Sequence, residues 1–386
     1  MHKILILGAG YTGMTATSAL VGRVKSRDDV HITLVNPQAR FTERLRLHQI
    51  ASGQTLATLQ IPDQLEGTGV HFVQGWVTGI DAGAQKVRID DAYVVDYDTL
   101  VYALGSVTDT VTVPGVDQFA YTLDSAQDAT LIADHLNSLR GGTVAVAGGG
   151  LTGVETAAEI AERYPELDVV LLSRQLPAPM MGQKAQERLL AGLDRLGVRV
   201  YADAEIVKVM PDGVALSTGQ TIEARATVWT AGVRVSPMAG AAGLEVDDRG
   251  RIVTDETLRS VTHPNVYAVG DAAAIRQGYG VIHGTCQSGI PTAVHAAASI
   301  ARELKDKQPK KFRFGYIHQP VSLGRNDAVI QFTHPDDSPK RLYLAGRWAV
   351  AYKETVSSSP WSTYRLLKAL PGIGAMTWRR GGRSTR

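Results

Sequence analysis

The sequence predicts an α/β chain made of one doubled unit, each copy carrying a small antiparallel meander, followed by a separate C-terminal α+β segment. Three observations lead there. The apolar run Lys3–Leu7 closes on Gly8-Ala-Gly10-Tyr-Thr-Gly13, and a helical pattern follows. The run Val144–Ala147 closes in the same way on Gly148-Gly-Gly150-Leu-Thr-Gly153. Each copy then passes through a stretch of nearly equal length, Gly69 to Gly105 and Gly197 to Gly232, which starts with Gly-Val and ends in an apolar strand closing on glycine.

The motif states a chemistry. In a strand, tight turn and helix start, the first glycine permits the turn and the second lets backbone approach a pyrophosphate. The third lets the helix pack close to the strand. The helix N-terminus then presents free N–H groups and a positive dipole end to the anion. One such motif is a weak signal. Two inside a repeated unit predict two Rossmann-like dinucleotide-binding domains.

Composition narrows the rest. With 386 residues the chain has room for two or three domains, and 44% hydrophobic with 20% charged residues is a soluble, globular balance. A net charge of +2 argues against nucleic acid as a partner. Cys286 is the single cysteine, so a redox pair within the chain is excluded. No stretch approaches the roughly 20 apolar residues of a membrane span, and the N-terminal run is too short for a signal peptide. A cytoplasmic protein is expected.

The elements follow in order. Val30–Val35 is a buried-type strand ending at Asn36-Pro37, where a carboxylate usually meets the adenosine ribose. Asn36 can accept that hydrogen bond through its amide oxygen, without the charge, or it can simply open a turn. The basic segment Phe41–Gln49 reads as a solvated helix face or as a place where Arg44 or Arg46 offsets phosphate charge. Val70–Val73, Trp76–Thr78, Lys86–Ile89 and Ala92–Val95 read as an antiparallel meander. Asp124 to Leu139 has a helical period, with Asp124 or Ser125 as N-cap. In the second copy Glu155 and Glu159 share one helix face, and the next strand ends in Ser173-Arg174. Val266–Val269 ends in Gly270-Asp271, and Ile290–Leu304 reads as a helix with Pro291 in its first turn. Beyond the charged linker Lys305–Lys311, strand-like pieces at Val329–Phe332, Arg341–Leu344 and Ala349–Tyr352 precede a basic, Trp-containing tail.

This arrangement resembles the two-domain flavoprotein reductases, and within them the type II NADH dehydrogenases and the apoptosis-inducing-factor-like oxidoreductases. Gly148-Gly-Gly-Leu-Thr-Gly-Val-Glu155-Thr-Ala-Ala-Glu159, Val228-Trp-Thr-Ala-Gly-Val233, Leu47-His-Gln-Ile-Ala-Ser-Gly53 and Val266-Tyr-Ala-Val-Gly-Asp271 carry the resemblance. It covers residues 1–305 well and the remainder weakly. It implies FAD in the first unit and NAD(P)H in the second. FAD would then be held by Gly8, Gly10, Gly13, Asn36, Arg44, Val77, Gly105 and Asp271, and the nicotinamide dinucleotide by Gly148, Gly150, Gly153, Arg174 and Gly232. Glu155 would sit near the nicotinamide as the catalytic residue; the plain alternative is a solvated first-turn carboxylate favoured by the helix dipole. Gln49 stands where relatives often have a lysine beside the flavin.

The implied domains are 1–112 with 240–308 for FAD, 113–239 for NAD(P)H, and 309–386 as an interface or membrane-associated segment. The implied reaction passes hydride from NAD(P)H to flavin and then electrons to a quinone-like or other small acceptor. A reductase of a ferredoxin- or rubredoxin-type protein and a slow, redox-sensing flavoprotein are the alternatives. Ser173-Arg174 at the strand end predicts use of NADPH at least as readily as NADH, since a carboxylate there would repel a 2′-phosphate. By the resemblance, Ala293–Ala298 stands where the type II dehydrogenases carry an Ala-Gln-x-Ala-x-Gln quinone motif, and both glutamines are absent from it. The tail from Pro360 has six basic residues and no acidic one, with Trp361, Tyr364 and Trp378 interspersed, which suits an interfacial anchor on the inner face of the membrane or a packed helix with a frayed end. A homodimer is left open. No metal and no Ser/His/Asp triad are expected. His283, His295 and His318 read as structural, and Cys286 as a small buried residue with a reactive thiol as the minor option.

Overall fold

In the computed structural model, which describes residues 1–371, strand β1 (His2–Leu7) is buried from Ile4 to Leu7. It runs through the middle of a parallel sheet, so both of its faces must be apolar. Helix α1 (Tyr11–Val24), β2 (Val30–Asn36), the short helix α2 (Leu47–Ala51) and β3 (His71–Gln74) follow. Next come an antiparallel meander, β4 (Val77–Asp81), β5 (Lys86–Ile89) and β6 (Tyr93–Asp96), and then β7 (Thr99–Tyr102). The expectation that the meander starts at Val70 is corrected: His71–Gln74 pairs in parallel with β2.

The second unit repeats the plan. Strand β8 (Tyr121–Thr122) and helix α3 (Ala126–Ser138) lead into β9 (Gly142–Ala147), α4 (Leu151–Arg163) and β10 (Leu167–Leu172). Then come α5 (Gln183–Arg195), β11 (Arg199–Tyr201), the meander β12 (Ile206–Met210), β13 (Gly213–Leu216) and β14 (Thr221–Glu223), and β15 (Ala226–Trp229). Strand β16 (Val266–Ala268) returns to the first sheet, whose order is β16-β7-β1-β2-β3; the second sheet runs β11-β10-β9-β15-β8. Both are parallel throughout.

Helix α6 (Cys286–Glu303) starts earlier than its pattern suggested. Thr285 and Ser288 form a reciprocal capping box, which places Pro291 in the second turn. The last segment forms a three-stranded antiparallel sheet, β17 (His318–Ser322), β18 (Ala328–Thr333) and β19 (Pro339–Ala345), and then α7 (Arg347–Ala369). Ala349–Tyr352, expected as a strand, belongs to this helix. The buried positions Ala349, Lys353, Ser357, Pro360, Tyr364 and Leu367 fall every three or four residues, which is a helical stripe. The tail positions Ile373, Trp378, Arg379, Arg380, Arg383 and Arg386 lie outside the described residues.

Two large cores result, and the C-terminal segment feeds both. Phe314, Tyr316 and Tyr364 join the core of the first sheet, whereas Val321, Leu323 and Val329 join that of the second. Leu47 and Ala51 of α2 cross from the first unit into the second core. The segments α2, α4, β17 and α7 therefore meet at one place, where the first unit, the second unit and the C-terminal segment touch.

Candidate active site between the two nucleotide units

The glycine turns share one geometry. A Cβ on Gly13 would lie 1.8 Å from the Gly8 carbonyl oxygen, and one on Gly153 would lie 1.8 Å from that of Gly148. Only glycine lets each helix sit that close to its strand. A Cβ on Gly10 or Gly150 would meet nothing within 4 Å, so the middle glycine of each turn faces open space. Both turns thus have the cradle a pyrophosphate needs.

Around the first turn the polar groups are committed. Asn36 Oδ1 accepts the Ala9 N–H at 2.9 Å and its Nδ2 donates to Gln38, so the amide ties the strand end to the turn. Gly270 (φ +69°) presses against Thr12 in the first turn of α1, and Thr292 accepts its N–H. That places Asp271 at the α1 N-terminus, where its carboxylate accepts the Ser106 hydroxyl at 2.7 Å. Arg44 donates to the Ser106 carbonyl and to Asp124 Oδ1, so its charge rests on Asp124. Asp124 is therefore not the cap of α3; Ser125 is, accepting the Asp128 N–H. Val77 opens β4 and is half-buried against the first core, and Gly105 turns the chain out of β7 at φ +66°.

Sequence reasoning missed the cluster that α2, α4 and α7 build. Glu155 is 6% exposed. Its Oε1 accepts Lys353 Nζ at 2.8 Å, the Ser322 N–H at 3.0 Å and the Ser322 hydroxyl at 3.2 Å; its Oε2 lies 3.7 Å from His48 Nδ1. Glu155 is thus not a solvated first-turn carboxylate. Burial alone would raise its pKa, but Lys353, through its charge and its hydrogen bond, and the Ser322 N–H hold it below the usual carboxylate range. Burial pushes His48 down to about 4, so the ring is neutral, with Nδ1 the nitrogen nearer the carboxylate. His48 Nε2 is buried without a hydrogen-bond partner among the described residues.

One turn further, Glu159 accepts Gln54 at 2.7 Å and Arg325 at 3.3 Å, and burial pushes it up to about 7 against the pull of Arg325. Arg325 also bridges to Glu354 on α7 at 2.8 Å. Gln49, the position of the family lysine, is buried and holds Arg46. The only early signal for this cluster was the i, i+4 spacing of Glu155 and Glu159. Lys353 lies almost 200 positions away in a segment whose pattern was misread.

Residues 293–298 lie within α6, with Ala293, Val294, Ala296 and Ala297 buried. The glutamine at the helix start is Gln287, which donates to the His318 carbonyl and accepts the Ile317 N–H, both at 2.6 Å. Burial pushes Cys286 up to about 11, which keeps it a neutral thiol. His295 and His318 are each pushed down to about 4 by burial, and His283 stacks on Tyr316 at 4.5 Å. No group of three metal-ligating side chains occurs among the described residues.

At the second turn a Cβ on Gly149 would fall 2.0 Å from Ser173 Oγ. Ser173 is packed against the turn, and Arg174 at the end of β10 is exposed. Gly232 (φ +76°) ends the return from β15 next to Asp109.

Comparison with known proteins agrees with this geometry. The chain is 29% identical over 354 residues to an NADH dehydrogenase-like protein of Mycobacterium tuberculosis, covering 85% of this chain and 87% of that one. It is 28% identical over 415 residues to a type II NADH:quinone oxidoreductase of Staphylococcus epidermidis, covering 98% of each. In structure it matches the sulfide:quinone oxidoreductase of Aquifex aeolicus with a TM-score of 0.80 at 17% identity, over 96% of this chain and 92% of that one. NDH2 of Plasmodium falciparum in complex with NADH matches with a TM-score of 0.78 at 17% identity, over 96% and 98%. Residues 2–300 match the family model described as pyridine nucleotide-disulphide oxidoreductase, and the chain belongs to that family.

Proposed function

We propose that this FAD-dependent NAD(P)H oxidoreductase passes its electrons to a quinone-like small acceptor, with the Glu155–Lys353 pair as the proton-handling element beside the two nucleotide turns. The observation that carries this reading is the buried cluster of Glu155, Lys353 and His48 at the junction of both units and the C-terminal segment. The open cradle at Gly10 and the Asp271–Ser106 pair at the α1 N-terminus fit FAD, and the cradle at Gly150 fits the nicotinamide dinucleotide. Bound FAD supplies hydride acceptance and onward electron transfer.

The residues supply the surroundings. Gly8, Gly10 and Gly13 let backbone N–H groups reach a pyrophosphate, and Asn36 holds Ala9 in place. Lys353 keeps Glu155 ionised inside the fold, and the Ser322 N–H and hydroxyl add two hydrogen bonds to the same carboxylate oxygen. An acceptor that takes up protons with its electrons needs such a group within reach. The single cysteine rules out an internal disulfide relay, although the family description includes one.

The nicotinamide choice rests on Arg174. Since Ser173 is packed on Gly149, Arg174 is the side chain at that strand end free to meet a 2′-phosphate, and NADPH is used at least as well as NADH. A reductase of an acidic iron–sulfur protein is less well supported: Arg44 and Arg46, expected at its rim, are paired with Asp124 and Glu43. No helix among the described residues is long and apolar enough to cross a membrane. Anaerobic reduction by NADH and by NADPH, followed by quinones, dyes and iron–sulfur proteins as oxidants, tests the reading. Rapid reoxidation by quinones is expected. Reoxidation by iron–sulfur proteins alone would overturn it.

A further inference from the structure

Helices α1 and α6 begin at the first nucleotide turn and end far from it. Where they end, a cavity of about 360 Å³ opens at the surface. Its wall holds Arg23 from the last turn of α1 and Arg302 from the last turn of α6, with Lys305, Lys307 and Lys310 from the segment that follows. Ala298 and Ala301 supply the apolar part, and no carboxylate lines it among the described residues.

Counting charge decides whether this is an ordinary solvated surface. Each helix end contributes roughly half a negative charge from its free carbonyls, about one in all. Asp306, exposed between two of the lysines in sequence, adds one more. Five cations face these. The other nearby acids are engaged: Glu303 accepts the Tyr267 hydroxyl at 2.7 Å and pairs with Arg259, and Asp29 pairs with Arg27 at 2.6 Å. About three positive charges stay uncompensated within a few side-chain lengths.

The guanidinium groups are held by neutral atoms. Arg23 donates to the Ala19 and Pro371 carbonyls, at 3.3 and 2.6 Å. Burial lowers its pKa, and no carboxylate offsets the cost. Arg302 donates to the Gln308 carbonyl at 2.7 Å, which curls residues 305–310 around the opening. Both remain fixed with further N–H groups to donate.

We propose that this cavity binds a phosphate-bearing anion, with Arg23 and Arg302 as hydrogen-bond donors and Lys305, Lys307 and Lys310 as a surrounding positive field. Guanidinium forks match phosphate oxygens, and flexible lysines add charge without demanding geometry. The anion is the headgroup of an acidic phospholipid or a soluble phosphate. Arg23 also holds Pro371, from which the tail with Arg379, Arg380, Arg383 and Arg386 continues. The site does not depend on which electron acceptor the protein uses.

The test uses the full, flavin-loaded chain and two triple variants. One replaces Lys305, Lys307 and Lys310 with alanine. The control replaces Lys86, Lys184 and Lys208, equally exposed and away from the cavity, with alanine. Sedimentation with vesicles of phosphatidylcholine, with and without phosphatidylglycerol, reads the lipid source. Thermal unfolding with pyrophosphate against sodium chloride of equal ionic strength reads the soluble one. In one of the two assays the cavity variant loses on the order of 100-fold in affinity while the control keeps it, at about fivefold per lysine. Which assay discriminates identifies the source. Equal losses in both variants, or no binding by the unaltered protein in either assay, would overturn the proposal. Flavin content and NADH oxidation with a dye acceptor stay unchanged in both variants, which separates loss of the site from misfolding.

Discussion

Glu155 and Lys353 each lie below a tenth exposed, and neither would be tolerated there alone. Replacing Lys353 with Met leaves a buried carboxylate without its cation and should destabilise the protein by about 3–5 kcal/mol. Adding Glu155→Gln to that variant should recover much of the loss, because the buried charge is then gone. Urea unfolding of Lys353→Met and of the double variant measures this, and a double variant no more stable than Lys353→Met would contradict it. Lys353→Met and Glu155→Gln, each alone, should also slow reoxidation by quinones more than reduction by NADH. Arg174 supports a separate expectation. Arg174→Ala should raise the KM for NADPH by about 10- to 100-fold, the worth of a charge-assisted pair, and leave that for NADH nearly unchanged. Equal effects on both would sink the NADPH reading.

At the scale of elements, the two glycine turns and the α6 start are the sensitive points. Gly13→Ala would place a methyl group 1.8 Å from the Gly8 carbonyl oxygen, so α1 must move off β1. The purified variant should carry much less flavin, seen as a lower flavin band relative to protein absorbance; full flavin content would refute the role given to this turn. Thr285→Ala removes one half of the α6 capping box and should cost about 1 kcal/mol of stability. The glycine turns were legible in the sequence because their signals are local; the α6 start was not, since its cap at Thr285 lies before the apolar pattern begins. The strand, turn and helix of each unit span few residues, and their glycines answer to contacts within the same turn. Helix α7 was not legible. Its buried stripe includes Lys353, Ser357 and Pro360, polar or helix-breaking residues that hide the period unless the surfaces they meet are known.

Across the whole molecule, acid stability follows from buried histidines. His48, His295 and His318 are each pushed down to about 4 by burial, so the unfolded chain binds protons there that the folded one does not. Their contribution is full above about pH 6.5 and is lost as pH falls towards 4. Glu159, raised to about 7, acts oppositely: between about pH 4.5 and 7 the folded state binds the extra proton, which favours folding on acidification. Three groups outweigh one, and the urea midpoint should fall between pH 6.5 and 4.5. A midpoint that rises over this range would show that Glu159 dominates.

The sequence by itself determined the doubled unit, the two nucleotide turns and the return strand at Asp271, since close backbone packing there leaves glycine as the residue that fits and a buried parallel strand must be apolar on both faces. Only the tertiary structure decided what lies between the turns. Ion pairing in a dry interior depends on groups within a few ångströms, and Glu155, His48 and Lys353 come from three elements far apart in the chain. The same holds for Arg44 and Ser173: their residue types suggested phosphate contacts, but packing commits Arg44 to Asp124 and Ser173 to Gly149. It holds also for the C-terminal segment, whose apolar and charged side chains take on meaning only where two cores and one helix face meet.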